Sequence, residues 1–257
     1  MKKNRIEKLI LFSASIAFLV GLWWVLSVTA FSHTPAVPAP PPVFGYLGRM
    51  AGTSAFWKNI WNTLSLALPA FGISFLVALI TAVAASQSKR LQLFITPIIT
   101  VIRALPTIGL VLVLFMVFRR PQTGAAVIGI MMAYPVLHEG FLTAIQQVDK
   151  KLLEMARAFK VPVRRQLLGI YVPHCMPFVF GGAVIGMGMT LKVVIAAEII
   201  SIPFANTIGT ALQAANINAQ FGLMFMWLVV AVLVSFALEL IIKLLGKACM
   251  PWRRGEK

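Results

Sequence analysis

Three ionisable side chains, Arg103, Lys192 and Glu198, lie inside long apolar runs of this sequence, where charge is expensive. In hydrocarbon such a group costs roughly 2.5–3.5 kcal/mol or more unless it faces a partner or a watery cavity. Arg103 stands twelve residues into a run that begins near Leu91, about 18 Å deep at 1.5 Å per residue on a straight helix. Two readings stand for it: a structural ion pair with Glu198 or Glu139, or attraction of an anionic solute. Lys192 and Glu198 are six positions apart, about 240° around a helix, so they do not pair on one straight helix and each faces something different. Pro106 follows Arg103 closely and, with Pro173 and Pro177, is expected to kink the helices that carry these charges. Arg103, Pro106, Lys192 and Glu198 are therefore the candidates for a polar path through an apolar body. His138 beside Glu139 is read as a polar cap near a helix end. No nucleophile, base and oxyanion-donor constellation is present, no Cys/His spacing suits zinc, and no Gly-x-x-x-x-Gly-Lys-Ser/Thr stretch could cradle nucleotide phosphates.

A second group of charges is gathered between Asp149 and Arg165. Leu152, Leu153, Ala156 and Phe159 recur at the spacing of an amphipathic helix, while Lys151, Glu154, Arg157 and Lys160 fall mostly on its other faces. Asp149 is a plausible N-cap. Val161-Pro162 ends the helix, because proline disfavours helical geometry in the residue before it, and Arg164, Arg165 and Gln166 open a second short helix. Glu154 and Arg157, at i and i+3, are placed to support the first helix by a few tenths of a kcal/mol. Apolar residues kept in such a charged loop need a partner surface.

The elements that must position these residues are set by composition. The chain has 257 residues, 60% hydrophobic and only 12% charged, against about 25% charged in a soluble domain. An all-α polytopic membrane protein of about six transmembrane helices is expected. The first apolar run, about Leu9 to Phe31, follows a basic start; it is longer than the h-region of a signal peptide and reads as an uncleaved span. Residues 32–62 read as an extracytoplasmic segment: Pro35 to Pro42 forms a polyproline-type tether, and Phe44 to Trp61 is interfacial. Residues 63–246 hold five further spans, about 63–86, 91–118, 124–141, 170–200 and 221–245, with the charged loop 149–169 between the fourth and fifth. The uncharged stretch 201–218 reads as a re-entrant or membrane-surface helix, and 247–257 as a basic tail.

The net charge of +16 would suggest nucleic acid in a soluble chain. Here it is topological: in this six-span arrangement 17 of the 23 Lys and Arg fall on the side that holds both termini and the loop, and four on the other. The positive-inside bias then puts both termini and the loop in the cytoplasm. Cys175 and Cys249 fall at cytoplasmic ends, where thiols stay reduced, and no disulfide is expected.

The stretch Glu154 to Pro173 resembles the EAA loop of permease subunits from ATP-binding-cassette importers. Glu154, Ala156, Ile170 and Pro173 match that pattern in type and spacing, whereas Met155 replaces its first alanine, Val172 its leucine and Lys160 the glycine at the bend between two coupling helices. Val161-Pro162 is then expected to make the bend. Arg103-Ala-Leu-Pro106 is similar to an Arg-Ala-Ile-Pro segment of the nitrate, sulfonate and taurine branch, as are Ala197-Glu198 and Ile208-Gly209, so the likeness runs from about Leu9 to Leu245.

The resemblance implies a type I importer (MetI-like) fold that docks Glu154, Met155, Ala156, Arg157, Ala158, Phe159, Lys160, Pro162, Arg164 and Arg165 into a cytoplasmic ATPase dimer. It also implies a second permease copy and an extracytoplasmic solute-binding protein, with ATP bound by the partner subunit and no cofactor in this chain. The implied solute is a small anion such as nitrate, a sulfonate or taurine, with a thiamine-precursor pyrimidine or another non-anionic nutrient as the alternative. An ion-coupled secondary transporter or channel, in which Arg103, Lys192 and Glu198 would form the ion path, is the reading from another class.

Overall fold

A computed structural model describes residues 2–201 and 206–250. The tail after Met250, and the side chains of Lys2, Lys3, Arg5 and Lys8, all of which weigh in the charge count, lie outside what is described. Among the described residues every regular element is helical: α1 (Lys2–Thr29), α2 (Pro40–Met50), α3 (Ser54–Gln87), α4 (Lys89–Ala104), α5 (Thr107–Val117), α6 (Pro121–Gln146), α7 (Lys150–Ala158), α8 (Val163–Gln166), a π-helical turn (Leu167–Tyr171), α9 (Val172–Ile200), α10 (Ile208–Ile217) and α11 (Phe221–Cys249). Five stretches are long and apolar enough to cross a bilayer, and α4 with α5 makes a sixth if that bent pair is one span.

The centre of the bundle is the packing of α3, α6 and α9. On α3 the residues Ala67, Ala70, Ser74, Ala78, Ala82 and Ala85 recur every three or four positions and are all buried. Small side chains on one stripe let helix backbones approach closely, which is the main source of packing energy where lipid is as apolar as leucine. Glycines on the partner helices complete the fit. A Cβ on Gly129 of α6 would stand 3.1 Å from Val194 and 3.2 Å from Thr190 of α9. One on Gly186 of α9 would meet Leu137 of α6 at 2.8 Å. A second layer, with Trp227 buried against Phe56, ties α11 to the start of α3 and to α9.

Three expectations about the elements are corrected. Pro40, Pro41 and Pro42 open α2 instead of extending a polyproline tether, because the first turn of a helix has no use for the N–H that proline lacks. The helix that carries the span expected from about residue 63 already starts at Ser54, so residues 54–61 are the first turns of α3, started by Thr53, whose hydroxyl accepts from the Phe56 N–H at 3.4 Å. The run 91–118 is not one straight span: α4 and α5 are bent by 97°. Pro106 is the cause, since it holds Leu105 in an extended conformation at φ −68°, ψ 129°.

At the other end of the bundle, α8, the π turn and α9 form one unbroken helical stretch from Val163 to Ile200. Pro173 would clash with the carbonyl of Gly169 in a regular α-helix. The π turn avoids this by shifting the pattern, with the Val172 N–H donating to the carbonyl of Leu167. The charged loop is thus joined to the transmembrane core by a continuous helix.

Candidate functional site

The loop is built as its sequence suggests, with one difference at the bend. The Asp149 carboxylate caps α7 by accepting the Lys151 N–H at 2.8 Å. The helix ends in a Schellman motif: the Val161 N–H donates to the carbonyl of Ala156 and the Lys160 N–H to that of Arg157, both at 2.9 Å. This motif demands a left-handed residue, and Lys160 supplies it at φ 52°. The bend is therefore made by Lys160 itself, not by Val161-Pro162, at a cost of roughly 1 kcal/mol that glycine would not incur. Gln166, whose part sequence reasoning did not assign, closes the corner by donating from Nε2 to the Val161 carbonyl at 2.7 Å. Pro162 occupies the N-cap of α8, and Arg164 and Arg165 lie in that single turn.

The apolar stripe of α7 divides in two. Ala156 is buried against the chain and Leu153 half-buried, whereas Leu152, Met155 and Phe159 are 45%, 53% and 78% exposed. Val163, Leu167 and Leu168 continue this exposed apolar face beyond the bend. Glu154, Arg157, Ala158 and Lys160 are exposed around it. Among the described residues Glu154 and Arg157 form no ion pair, so the expected helix-supporting contact is not made. The result is a rigid corner with a bare apolar strip framed by charge.

The candidates for a polar path separate into different roles. Arg103, in the last turn of α4, forms an ion pair with Glu139 of α6, so its charge is compensated within the chain; both side chains are about half exposed. Of the two partners proposed for it, Glu139 is the one the fold supplies. Arg103 stands next to the last residue of α4, just before the break at Leu105-Pro106. Pro106 is the N-cap of α5 at the break. Lys192 is exposed on α9.

Glu198 is fully buried and serves α10. Its Oε2 accepts from the Thr63 hydroxyl at 2.9 Å and from the Gly209 N–H at 3.0 Å, and Thr63 Oγ1 accepts the Ile208 N–H at 3.0 Å. Thr207 adds a capping box with Thr210. The first amides of α10, which have no partner within their own helix, are thus satisfied by a carboxyl from α9 and a hydroxyl from α3. Lys192 and Glu198 face different surroundings, as their spacing requires. The helix α10 accounts for most of the uncharged stretch 201–218, of which 202–205 lie outside the described residues.

His138 departs from the sequence expectation. It is buried between α6 and α3 instead of capping a helix end, with Nδ1 2.9 Å from Thr81 Oγ1, which also accepts from the Tyr134 hydroxyl at 3.2 Å. Thr81 carries no sequence signal that links it to His138, because the contact joins residues 57 positions apart, whereas Tyr134 stands one turn before His138 on α6, at i and i+4.

A helix bundle with a capped, outward-facing charged loop has counterparts among known proteins. Residues 74–249 match the family model described as binding-protein-dependent transport system inner membrane component. The taurine transport system permease protein TauC of Escherichia coli (strain K12) is 21% identical over 247 residues, covering 94% of this chain and 89% of that protein. The nitrate import permease protein NrtB of Synechococcus elongatus is 24% identical over 214 residues, covering 78% and 75%. Among solved structures, a bacterial alginate ABC transporter in complex with its pentasaccharide-bound periplasmic protein has a chain that superimposes with a TM-score of 0.64 at 15% identity, covering 97% of this chain and 96% of that one. A chain of the inward-facing MetNI methionine ABC transporter gives 0.63 at 16%, covering 77% and 95%. The chain belongs to the family of binding-protein-dependent transport system inner membrane components and is a permease subunit of an ABC importer.

Proposed function

We propose that this permease forms the translocation path with a second copy of itself and takes its power from a cytoplasmic ATPase dimer docked on Glu154 to Pro173. An extracytoplasmic binding protein delivers the solute, and ATP is bound and hydrolysed by the partner. Both termini and the loop face the cytoplasm, as the distribution of Lys and Arg favours. The solute is a small organic or inorganic anion of the sulfonate, nitrate or taurine kind, as carried by the relatives.

The observation that carries this reading is the exposed strip Leu152, Met155 and Phe159 on a helix fixed at both ends and joined, through the bend at Lys160, to the unbroken stretch Val163–Ile200. An apolar strip on a charged loop is stable in water only when covered. A partner that grips the corner transmits its closure along the unbroken stretch Val163–Ile200 into the core, where α9 packs on α6 and α3. Rigid coupling of that kind is what alternating access by ATPase closure requires.

The test uses the permease reconstituted with its ATPase and binding protein. Glu154→Lys and Phe159→Asp are expected to leave the permease folded while uptake per ATP hydrolysed falls at least tenfold. Normal coupled uptake in both variants would sink the docking assignment.

A further inference from the structure

This fold leaves Lys192 without a charge partner: among the described residues it makes no ion pair. The acids of the spanning helices are engaged elsewhere, Glu139 with Arg103, Glu239 with Lys243, and Glu198 with the first amides of α10. A second copy of the chain brings the same acids, engaged in the same way. The charge also lies inside an apolar helix, since α9 continues from Lys192 for eight more residues to Ile200, about 12 Å along the axis.

The neighbours of α9 fix the side on which Lys192 stands. Gly186 packs on Leu137 of α6, Gly188 faces Ser235 of α11, and Met189 packs on the cluster that holds Val111 of α5. Taking Gly186 as zero, Gly188 stands at about 200° and Met189 at about 300°, at about 100° per residue. Lys192 and Ile185 fall in the gap between them, at about 240° and 260°. Both are exposed, Ile185 at 60%, and so are Phe178 and Gly181 on the same side. The sector of α9 between α11 and α5 is therefore bare. Its apolar members suit lipid, but an ammonium group at membrane depth is costly unless it faces water or a partner.

We propose that the stripe Phe178, Gly181, Ile185 and Lys192 lines the water-filled translocation path, and that Lys192 is the residue that selects for negative charge there. The Arg103–Glu139 pair is neutral and Glu198 holds α10, so neither supplies this field. The proposal rests on the reading that two copies of the chain enclose the path. Two Lys192 ammonium groups facing one narrow passage concentrate anions and repel cations, so the permease filters by charge whatever the binding protein delivers.

The experiment uses the permease–ATPase complex in nanodiscs, where reagents reach both sides, with Cys175 and Cys249 replaced by serine and Ile185→Cys introduced. Two water-soluble thiosulfonates are compared, one carrying a sulfonate and one a trimethylammonium group. Ile185→Cys is two turns, about 10 Å, from Lys192. A unit charge at that distance in water at low salt favours the anionic reagent over the cationic one by about fourfold in rate. That ratio is expected with Lys192 or Lys192→Arg, to vanish in Lys192→Gln and to invert in Lys192→Glu. A cysteine that neither reagent modifies would overturn the path and return this stripe to lipid. A cysteine that reacts with a ratio indifferent to residue 192 would overturn the charge filter while leaving the path in place. Modification requires no ATP turnover, so a bias that persists in a Glu154→Lys complex separates failure of the docking assignment from failure of the filter.

Discussion

Replacing Gly209 by alanine is expected to pull α10 off the bundle. The glycine is required for space and not for backbone freedom: an added Cβ would lie 2.3 Å from the Cβ of Glu198 and 2.7 Å from the Ile195 carbonyl oxygen. Carbon atoms pack at about 3.5–4.0 Å, so α10 must withdraw from α9 by more than about 1 Å. The second obstacle is backbone, so no rotamer change relieves it. That withdrawal stretches the 3.0 Å bonds from Gly209 N–H to Glu198 and from Ile208 N–H to Thr63 out of range. Two buried amides left unpaired cost about 1–3 kcal/mol each, and alanine returns about 1 kcal/mol of helix propensity. The net loss is about 3 kcal/mol, or about 10 °C in Tm for a chain of this size. Thermal unfolding of the detergent-purified protein, followed by loss of the monodisperse chromatographic peak, reads this directly. Gly181→Ala is the matched control, since nothing lies within 4 Å of its added Cβ, and its Tm is expected to stay level or rise. A Gly209→Ala protein that melts within about 2 °C of the parent would refute the assignment of Glu198 and Thr63 as the anchor of α10.

Two further perturbations separate structural from functional roles. At the bend, Lys160→Gly relieves about 1 kcal/mol of left-handed strain and is expected to keep coupled uptake, whereas Lys160→Val, β-branched at a positive φ, lowers it; equal uptake by the two variants would show that the corner does not depend on this conformation. For Arg103 and Glu139, a double-mutant cycle of Arg103→Gln and Glu139→Gln by thermal unfolding is expected to give a coupling of about 0.2–1 kcal/mol, the range for a partly exposed pair. Loss of uptake in Arg103→Gln alone, with Glu139→Gln active, would instead assign the guanidinium to the solute.

Much of the loop was legible because its signals are local. Asp149 precedes the helix it caps, and the apolar spacing of α7 is a property of a few consecutive residues. The position of Lys160 was legible as a departure from glycine, but not its outcome. Whether a lysine adopts φ 52° depends on the balance between about 1 kcal/mol of strain and the Schellman and Gln166 hydrogen bonds that the bend makes available.

The charges within the spans were legible as costly and not as paired. Arg103 had two acidic candidates, and only the 97° break at Pro106, with the approach of α4 to α6, selects Glu139 over Glu198.

By itself the sequence determined that this chain lives in a membrane, which loop is rich in charge and where the first helix of that loop begins. Those properties follow from hydrophobicity, charge and backbone chemistry, which act within a few residues. The tertiary structure decided that Glu198 holds α10, that Arg103 is neutralised and that His138 is buried beside Thr81. Each of these joins groups from different helices, and the energy of such a contact depends on distances that no single helix fixes.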